Sequence, residues 1–318
     1  MPQDISKVSQ TLSISPATRC SSVLTTTFAP LWAVMIWSGN TVVTKVASVA
    51  IEPASIVFYR WLLAFFLLSI FVGKEVWKNR ICVAQNWHKL MLLSALGMVV
   101  YQGLAYQAAK TTSAINMGFI ISLAPLISAL LASAISMETV GRHTLAGAVV
   151  SLIGLSFLIS KGHPLLLIAD GIRPGDMLML VAICANALYG QLLKRWVIPL
   201  TTWQQLHVQI ACAVLMSLPF YLLNPISPIT ASNAPLILYA GIPASIGAPF
   251  FWMKGIKRMG AARASLFMNL IPVFVTAVAC SFLGEQLHVY DAVGGAIALM
   301  GVALGLHSQR HVPKNASK

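Results

Sequence analysis

Charged residues are scarce in this chain, and acidic ones are the scarcest. Asp and Glu together number 8 in 318 residues, and charged residues make up 9% of the sequence. A soluble domain averages about 25% charged residues. The mean hydropathy is +0.80. A chain with so few charges and such long apolar runs is predicted to be embedded in a membrane, and the lipid bilayer is its first expected partner.

Signatures of catalysis and of metal binding are also missing. The five cysteines are far apart and lie mostly in or beside apolar runs, which is typical of small buried side chains. We find no glycine-rich phosphate loop followed by a lysine, no cluster of metal ligands and no nucleophile elbow. We therefore expect no catalytic residue, no metal site and no cofactor, and we expect that the chain is not an enzyme.

The net charge of +13 does not indicate a nucleic-acid partner. The basic residues lie in short loops between apolar runs, as the positive-inside rule for membrane proteins requires. Most of them fall on one side of the predicted membrane. The other side has only Lys110, Lys161 and Arg173, with Lys45 near a helix end. This asymmetry predicts a multi-pass membrane protein with both termini in the cytoplasm.

Ten apolar segments have about the length that a membrane span needs, roughly 20 residues. These spans are 28–49, 54–73, 89–108, 112–136, 143–161, 175–195, 203–223, 233–254, 261–284 and 289–307. They divide the chain into a first five-helix half (28–161), a linker loop (162–174) and a second five-helix half (175–308). Polar tails at 1–27 and 309–318 complete the chain.

One segment occurs twice. Residues 110–154 and 257–301 share the spacing Pro-x(12)-Glu-x(8)-Gly-x(6)-Gly, which runs from Pro125 in the first copy and from Pro272 in the second. Because each half has an odd number of spans, the second half must run through the membrane in the opposite direction. The predicted fold is an all-α membrane protein with ten transmembrane helices in two inverted-topology repeats, an arrangement found in many secondary transporters.

The repeat predicts a structural role for each residue type that recurs in it. Pro125 and Pro272 lie in the middle of predicted spans, where proline frees a carbonyl and bends the helix, so both are candidate hinges. Glu138 and Glu285 each precede the next helix and are expected to stabilise a helix N-terminus. The repeated glycines are expected to allow close helix packing.

Arg60 lies about two turns inside the second span, where a charge costs at least about 2.5 kcal/mol. It needs an acceptor. Pairing with Glu52 or with helix carbonyls, and direct contact with a substrate anion, are both open interpretations. The other polar and aromatic residues expected to line a central substrate cavity are Trp37, Asn40, Tyr101, Asn116, Asn186, Tyr189, Trp252 and Asn269.

Several motifs resemble those of the drug/metabolite transporter superfamily, in particular its ten-helix EamA-type members. They are Trp37 to Thr41 followed by Lys45, Glu52-Pro53 followed by Phe58 to Ala64, the two repeat signatures, and Gly175-Asp176 at the start of the sixth span. The resemblance covers nearly the whole chain after about residue 28. It implies export of an amino acid or a related small metabolite across a bacterial inner membrane.

The expected function is alternating-access transport of a zwitterionic or anionic small molecule, by a monomer or a homodimer. No Asp or Glu falls clearly within a predicted membrane core, and this argues against a multidrug exporter of cations. A flippase for lipid-linked substrates and a membrane-embedded enzyme that acts on them remain alternatives.

Overall fold

The computed structural model describes residues 29–124, 126–128, 130–131, 142–163, 173–259 and 266–307. These residues form helices joined by short connections, and no strand occurs among them. Both predicted tails and most of the predicted linker loop lie outside this part of the chain, as do Pro125 and Glu138.

The helices follow the predicted spans. In chain order they are α1 (Ala29–Ala50), α2 (Pro53–Lys78), α3 (Arg80–Gln85), α4 (Trp87–Ser94), α5 (Tyr101–Ala109), α6 (Ala114–Ile121), α7 (Arg142–Ile159), α8 (Pro174–Arg195), α9 (Thr202–Leu223), α10 (Ala234–Gly241), α11 (Ala248–Met259), α12 (Ile271–Leu283) and α13 (Val289–His307). A π-helical segment, Ala95–Val100, joins α4 to α5, and a second, Pro243–Gly247, joins α10 to α11. A 3₁₀ segment, Leu266–Leu270, leads into α12.

Within the described residues, five helical stretches are long and apolar enough to cross a membrane by length and hydropathy alone. They are Pro53–Lys78, Trp87–Ala109, Pro174–Leu193, Thr202–Leu223 and Ala234–Gly255. Large apolar side chains point outward from the bundle, among them Phe71 and Phe282, which are 78% and 80% exposed. Such a surface is stable against lipid tails and unstable against water.

Local sequence explains where several helices begin. Pro53 and Pro174 stand in the first turn of α2 and α8, where a missing backbone N–H costs nothing. Thr201 and Gln204 form a capping box at the start of α9, each side chain accepting from the other residue's backbone N–H.

Helix packing shows the two-fold relation between the halves. The helix α1 packs against α11 and α12, and its counterpart in the second half, α8, packs against α5 and α6. Helices at corresponding positions of the two halves also contact each other directly: α2 contacts α9, α6 contacts α12 and α7 contacts α13. Because each of the two related halves has an odd number of spans, the halves have inverted topology.

The two π-helical segments support the same relation. Ala95–Val100 in the third span and Pro243–Gly247 in the eighth stand at nearly the same place when one repeat is shifted onto the other by the spacing of the repeated segment. In a π turn the backbone hydrogen bond reaches one residue further than in an α-helix, as from Gly247 N to Ile242 O at 3.1 Å. Both halves therefore carry a local backbone irregularity at membrane depth.

The predicted close packing at glycines is confirmed. A β carbon on Gly301 would lie 2.4 Å from the backbone N of Ser151, and the hydroxyl of Ser151 donates to the carbonyl of Ala298 at 3.0 Å. Gly295 packs in the same manner against the ring of Phe119. The helices α7 and α13 approach so closely because these positions have no side chain.

Candidate substrate site

Arg60 is the centre of a polar cluster inside the bundle. Its side chain extends from α2 and is 1% exposed. Nη1 donates to Oε1 of Gln102 at 2.7 Å and to the hydroxyl of Tyr106 at 3.3 Å. Gln102 and Tyr106 are four residues apart on α5, so both face α2.

Ser245 completes the cluster from the second half of the chain. Its Oγ accepts from Nη2 of Arg60 at 2.9 Å and from Nε at 3.3 Å. The same hydroxyl donates to the carbonyl of Ala240 at 2.7 Å. Ser245 lies in the π-helical segment, and such segments leave carbonyls for side chains to bind. The guanidinium thus holds the two halves together at membrane depth.

Among the described residues, every hydrogen-bond partner of Arg60 is a neutral side chain. The pairing with Glu52 is contradicted, because Glu52 accepts from Lys110 Nζ at 3.5 Å, at one end of the bundle. The alternative of helix carbonyls as acceptors is not seen among the described residues, since the acceptors there are side chains. The ring of Trp61, whose centroid lies 5.0 Å from Cζ of Arg60, adds a cation–π contact. The cluster therefore keeps a positive charge that no carboxylate of the described chain neutralises.

An aromatic pair lies beside this cluster. The rings of Trp37 on α1 and Trp252 on α11 are 5.5 Å apart. The indole N–H of Trp37 donates to the carbonyl of Ala244 at 3.3 Å, and Ala244 is the residue before Ser245. Trp37 and Trp252, both predicted to line the cavity, thus contact each other next to the residue that binds Arg60.

Three amide side chains carry buried oxygens that have no hydrogen-bond partner within the described residues. They belong to Gln209 on α9, to Asn40 on α1 and to Asn269 in the 3₁₀ segment. The last two lie on elements that pack against each other. An unpaired buried acceptor costs about 1–3 kcal/mol, so these positions are available to the N–H groups of a ligand.

Residues 24–160 and 173–306 each match the EamA-like transporter family. The chain belongs to the EamA-like transporter family. The two matched regions correspond to the two halves that the repeat and the helix packing define.

Relatives of this EamA-like transporter carry transporter names. It is 29% identical over 226 residues to "Uncharacterized transporter YyaM" of Bacillus subtilis, covering 69% of this chain and 72% of that one. It is 26% identical over 275 residues to an uncharacterized transporter of Archaeoglobus fulgidus, covering 85% and 93%. It is 25% identical over 231 residues to the "Probable terminal-alkyne amino-acid exporter" of Streptantibioticus cattleyicolor, covering 70% and 73%.

A solved crystal structure shares the fold of the EamA-like transporter. Its TM-score is 0.59 over 90% of this chain and 98% of that chain, at 20% sequence identity. At this identity the likeness concerns the fold alone.

Of the remaining predicted site residues of the EamA-like transporter, Tyr101 lies within electrostatic range of Arg60 and the others are dispersed. Tyr101 packs against the apolar core shared by α1, α6 and α12, whereas Tyr106 bonds to Arg60 directly. Tyr189 packs against Gly97, near Leu90 and Leu93.

Asn116 and Asn186 also lie away from Arg60 in their contacts. Asn116 lines a cavity at the end of the bundle that contains Lys110. Asn186 is half-buried on α8 and makes no side-chain hydrogen bond to the described residues. Their roles in substrate binding stay predictions.

The hinge prediction concerns one described residue. Pro272 is buried in the first turn of α12, directly after the 3₁₀ segment. It therefore begins an α-helix in the middle of a span, where a change of helix type marks a place that can bend. Pro125 lies outside the described residues, and hinge motion at either proline stays a prediction.

Ser245, Gln102 and Tyr106 are not among the site residues predicted from the sequence. Pro243 in the middle of the eighth span is the signal that could have drawn attention to Ser245, because a proline there disturbs the helix. Nothing in the sequence shows that this disturbance faces Arg60.

Proposed function

We propose that this transporter exports a small solute that carries a carboxylate, with an amino acid or a related zwitterion as the favoured class. The observation that supports it most is the buried Arg60, whose described partners are all neutral. A guanidinium binds a carboxylate in a two-pronged geometry that neutral acceptors imitate only in part.

A zwitterion fits the second feature of the site. The oxygens of Asn40 and Asn269 lack donors, and an ammonium group supplies three. The rings of Trp37 and Trp252 add a surface for the solute's side chain. The relative named as a probable terminal-alkyne amino-acid exporter is consistent with this class.

The proposed mechanism is alternating access between the two halves. Arg60 and Ser245 belong to opposite halves, and a carboxylate that takes Arg60 away from Ser245 would loosen the contact between them. A ligand shifts such an equilibrium only by binding one state better than the other, which this exchange of partners provides.

The test is transport in proteoliposomes with a panel of labelled amino acids. Wild-type protein should release at least one of them, and Arg60→Gln should lower the transport efficiency by about tenfold or more, the value of a lost charge-assisted bond. Lys78→Gln, which removes an exposed lysine at the end of α2, serves as the matched control and should transport normally. Arg60→Lys keeps the charge without the fork and should have an intermediate effect, which separates binding from folding.

Three results would contradict the proposal. They are transport of tetraphenylphosphonium instead of amino acids, movement of a labelled lipid-linked sugar between leaflets, and normal amino-acid transport by a folded Arg60→Gln variant. The first would identify a multidrug exporter and the second a flippase.

A further inference from the structure

A cavity of about 350 Å³ opens at one end of the bundle, away from Arg60. It lies where the α5–α6 connection, the end of α7 and the starts of α8 and α13 meet. Four basic residues line it: Lys45, Lys110, Lys161 and Arg173.

These four residues are the ones that the charge distribution of the sequence assigns to the outer side of the membrane. Lysine and arginine are depleted on that side of membrane proteins. If the few outer cations served solubility alone, they would be distributed over the loops. They come instead to one cavity from one helix and from two connections, between α5 and α6 and between α7 and α8.

Two of the four cations are already bound. Nζ of Lys45 donates to the carbonyls of Ala109 and Thr112, each at 2.7 Å. Lys110 pairs with Glu52 at 3.5 Å. Both hold neighbouring segments in place.

The other two, Lys161 and Arg173, are exposed in the cavity and make no side-chain hydrogen bond or ion pair to the described residues. The two acids that line the cavity are bound to backbone amides. Glu285 accepts from the N–H groups of Ala114 and Ile115 at 3.0 and 3.2 Å, and Asp291 accepts from the N–H of His288 at 3.0 Å. Each stabilises a helix N-terminus. Arg173 also interacts electrostatically with the buried carboxylate of Asp176, which accepts from the hydroxyl of Thr112, so Lys161 is the cation with no such acid beside it among the described residues.

The backbone at Lys161 gives an independent indication. Its φ is +53°, and it is the only non-glycine residue with a positive φ in the described chain. It ends α7 in a motif where Gly162 N donates to Phe157 O at 2.9 Å and Lys161 N donates to Leu158 O at 3.1 Å. Glycine is the favoured residue at this position because it has no Cβ. A lysine here is less stable than a glycine, and strained residues of this kind cluster at functional sites.

We propose that this outer cavity is a second anion site, in which Lys161 and Arg173 bind the carboxylate of a small solute. The proposed function supplies the identity of the solute, so this inference rests on it for that point. The site would receive the carboxylate after it leaves Arg60, at the end of the path that is outside in the predicted orientation.

The test uses full-length protein in nanodiscs of phosphatidylcholine, with succinate as a carboxylate probe and succinamide as a neutral probe of the same length. Ionic strength is held constant with sodium chloride, since exposed charges are screened by salt. Succinate, but not succinamide, should raise the thermal midpoint in proportion to ln(1 + [L]/Kd). Lys161→Gly and Arg173→Gln should each weaken succinate binding by about three- to tenfold, and Lys78→Gln should leave it unchanged.

Lys161→Gly gives the sharpest outcome. Without ligand it should be as stable as the wild type or more stable, because it relieves the positive φ, and yet it should bind succinate more weakly. If the Lys161 charge mattered only for folding, the variant would not combine unchanged or higher stability with weaker succinate binding. If Lys161→Gly stabilises the protein and the succinate response is unchanged, the proposal is wrong.

Two further measurements determine where succinate binds and whether a lipid phosphate occupies the same site. Arg60→Gln should keep the succinate response, because the outer site is separate, and loss of the response in that variant would place succinate at Arg60 instead. Nanodiscs with phosphatidylglycerol should leave the response intact. Its disappearance would make a lipid phosphate the occupant and overturn the assignment to a solute. Failure of amino-acid transport alone would contradict the proposed function and leave this succinate result standing.

Discussion

The carbonyl oxygen of Gly154 lies 2.9 Å from the point that a β carbon on Gly294 would occupy. The carbonyl oxygen of Gly147 stands in the same relation to Gly301, at 2.7 Å. Gly294 is the repeat counterpart of Gly147, and Gly301 that of Gly154. The contact between α7 and α13 is therefore reciprocal, as in an interface with a two-fold axis. Glycines that were expected only to pack closely define the symmetry of the whole molecule.

Gly154→Ala should destabilise the protein. The new Cβ would lie 2.4 Å from the backbone N of Ala298, so the two helices must move apart, at a cost of about 1–3 kcal/mol. Thermal unfolding in detergent or nanodiscs measures the effect. Gly190→Ala on α8 is the matched control, since nothing lies within 4 Å of its Cβ, and it should be neutral or stabilising by up to about 1 kcal/mol. Equal midpoints for the two variants would argue against close packing at Gly154.

The sequence was sufficient to predict this fold because the fold depends on features that are local or repeated. Span length follows from bilayer thickness, and the inverted repeat follows from the shared spacing and the odd number of spans in each half. The extra helix Arg80–Gln85 and the extension of α2 to Lys78 were not predicted. Both lie at the end of the bundle, where hydropathy is a weak guide.

The site was predicted less well, because it depends on which face of a helix meets which neighbour. Asn40 and Asn116 are both polar residues in apolar spans, but Asn116 lines the outer cavity, whereas the Asn40 oxygen is buried without a partner. Glu285 was expected to stabilise the helix that follows it. It binds instead the N-terminus of α6, from the other half of the chain. A periodicity in one segment carries no information on such contacts.

Ser245→Ala should impair both stability and transport. Nη2 and Nε of Arg60 would lose their acceptor and the carbonyl of Ala240 would lose a donor, at a cost of about 1–3 kcal/mol in this buried place. Ser281→Ala is the control, because Ser281 is exposed and binds only the carbonyl of Ala277 in its own helix. That change should stay within about 0.5 kcal/mol. Identical unfolding midpoints and transport rates for both variants would show that Ser245 does not position Arg60.

Glu285→Ala should destabilise the end of the bundle at which α6 begins. The N–H groups of Ala114 and Ile115 would lose their acceptor, and the loss of such a cap costs about 0.5–2 kcal/mol. Hydrogen exchange at these two amides measures the effect directly, and their protection should fall. Glu75→Ala, at an exposed glutamate near the end of α2, should leave both amides unchanged. Unaltered protection in Glu285→Ala would mean that another group caps α6.

Asn269→Leu should separate stability from ligand binding. The amide oxygen of Asn269 is buried without a partner in the described residues, so an apolar side chain of similar size should keep or raise the thermal midpoint without ligand. The same change should abolish the additional stabilisation by a transported amino acid, because the proposed acceptor for its ammonium group is gone. Asn233→Leu is the control with the opposite behaviour. Asn233 donates to the carbonyl of Pro228 at 2.9 Å and accepts from the N–H of Thr230 at 2.9 Å, so its replacement should lower the midpoint and spare the ligand response. If Asn269→Leu instead lowers the midpoint and keeps the full ligand response, its amide serves the fold and the ammonium group binds elsewhere.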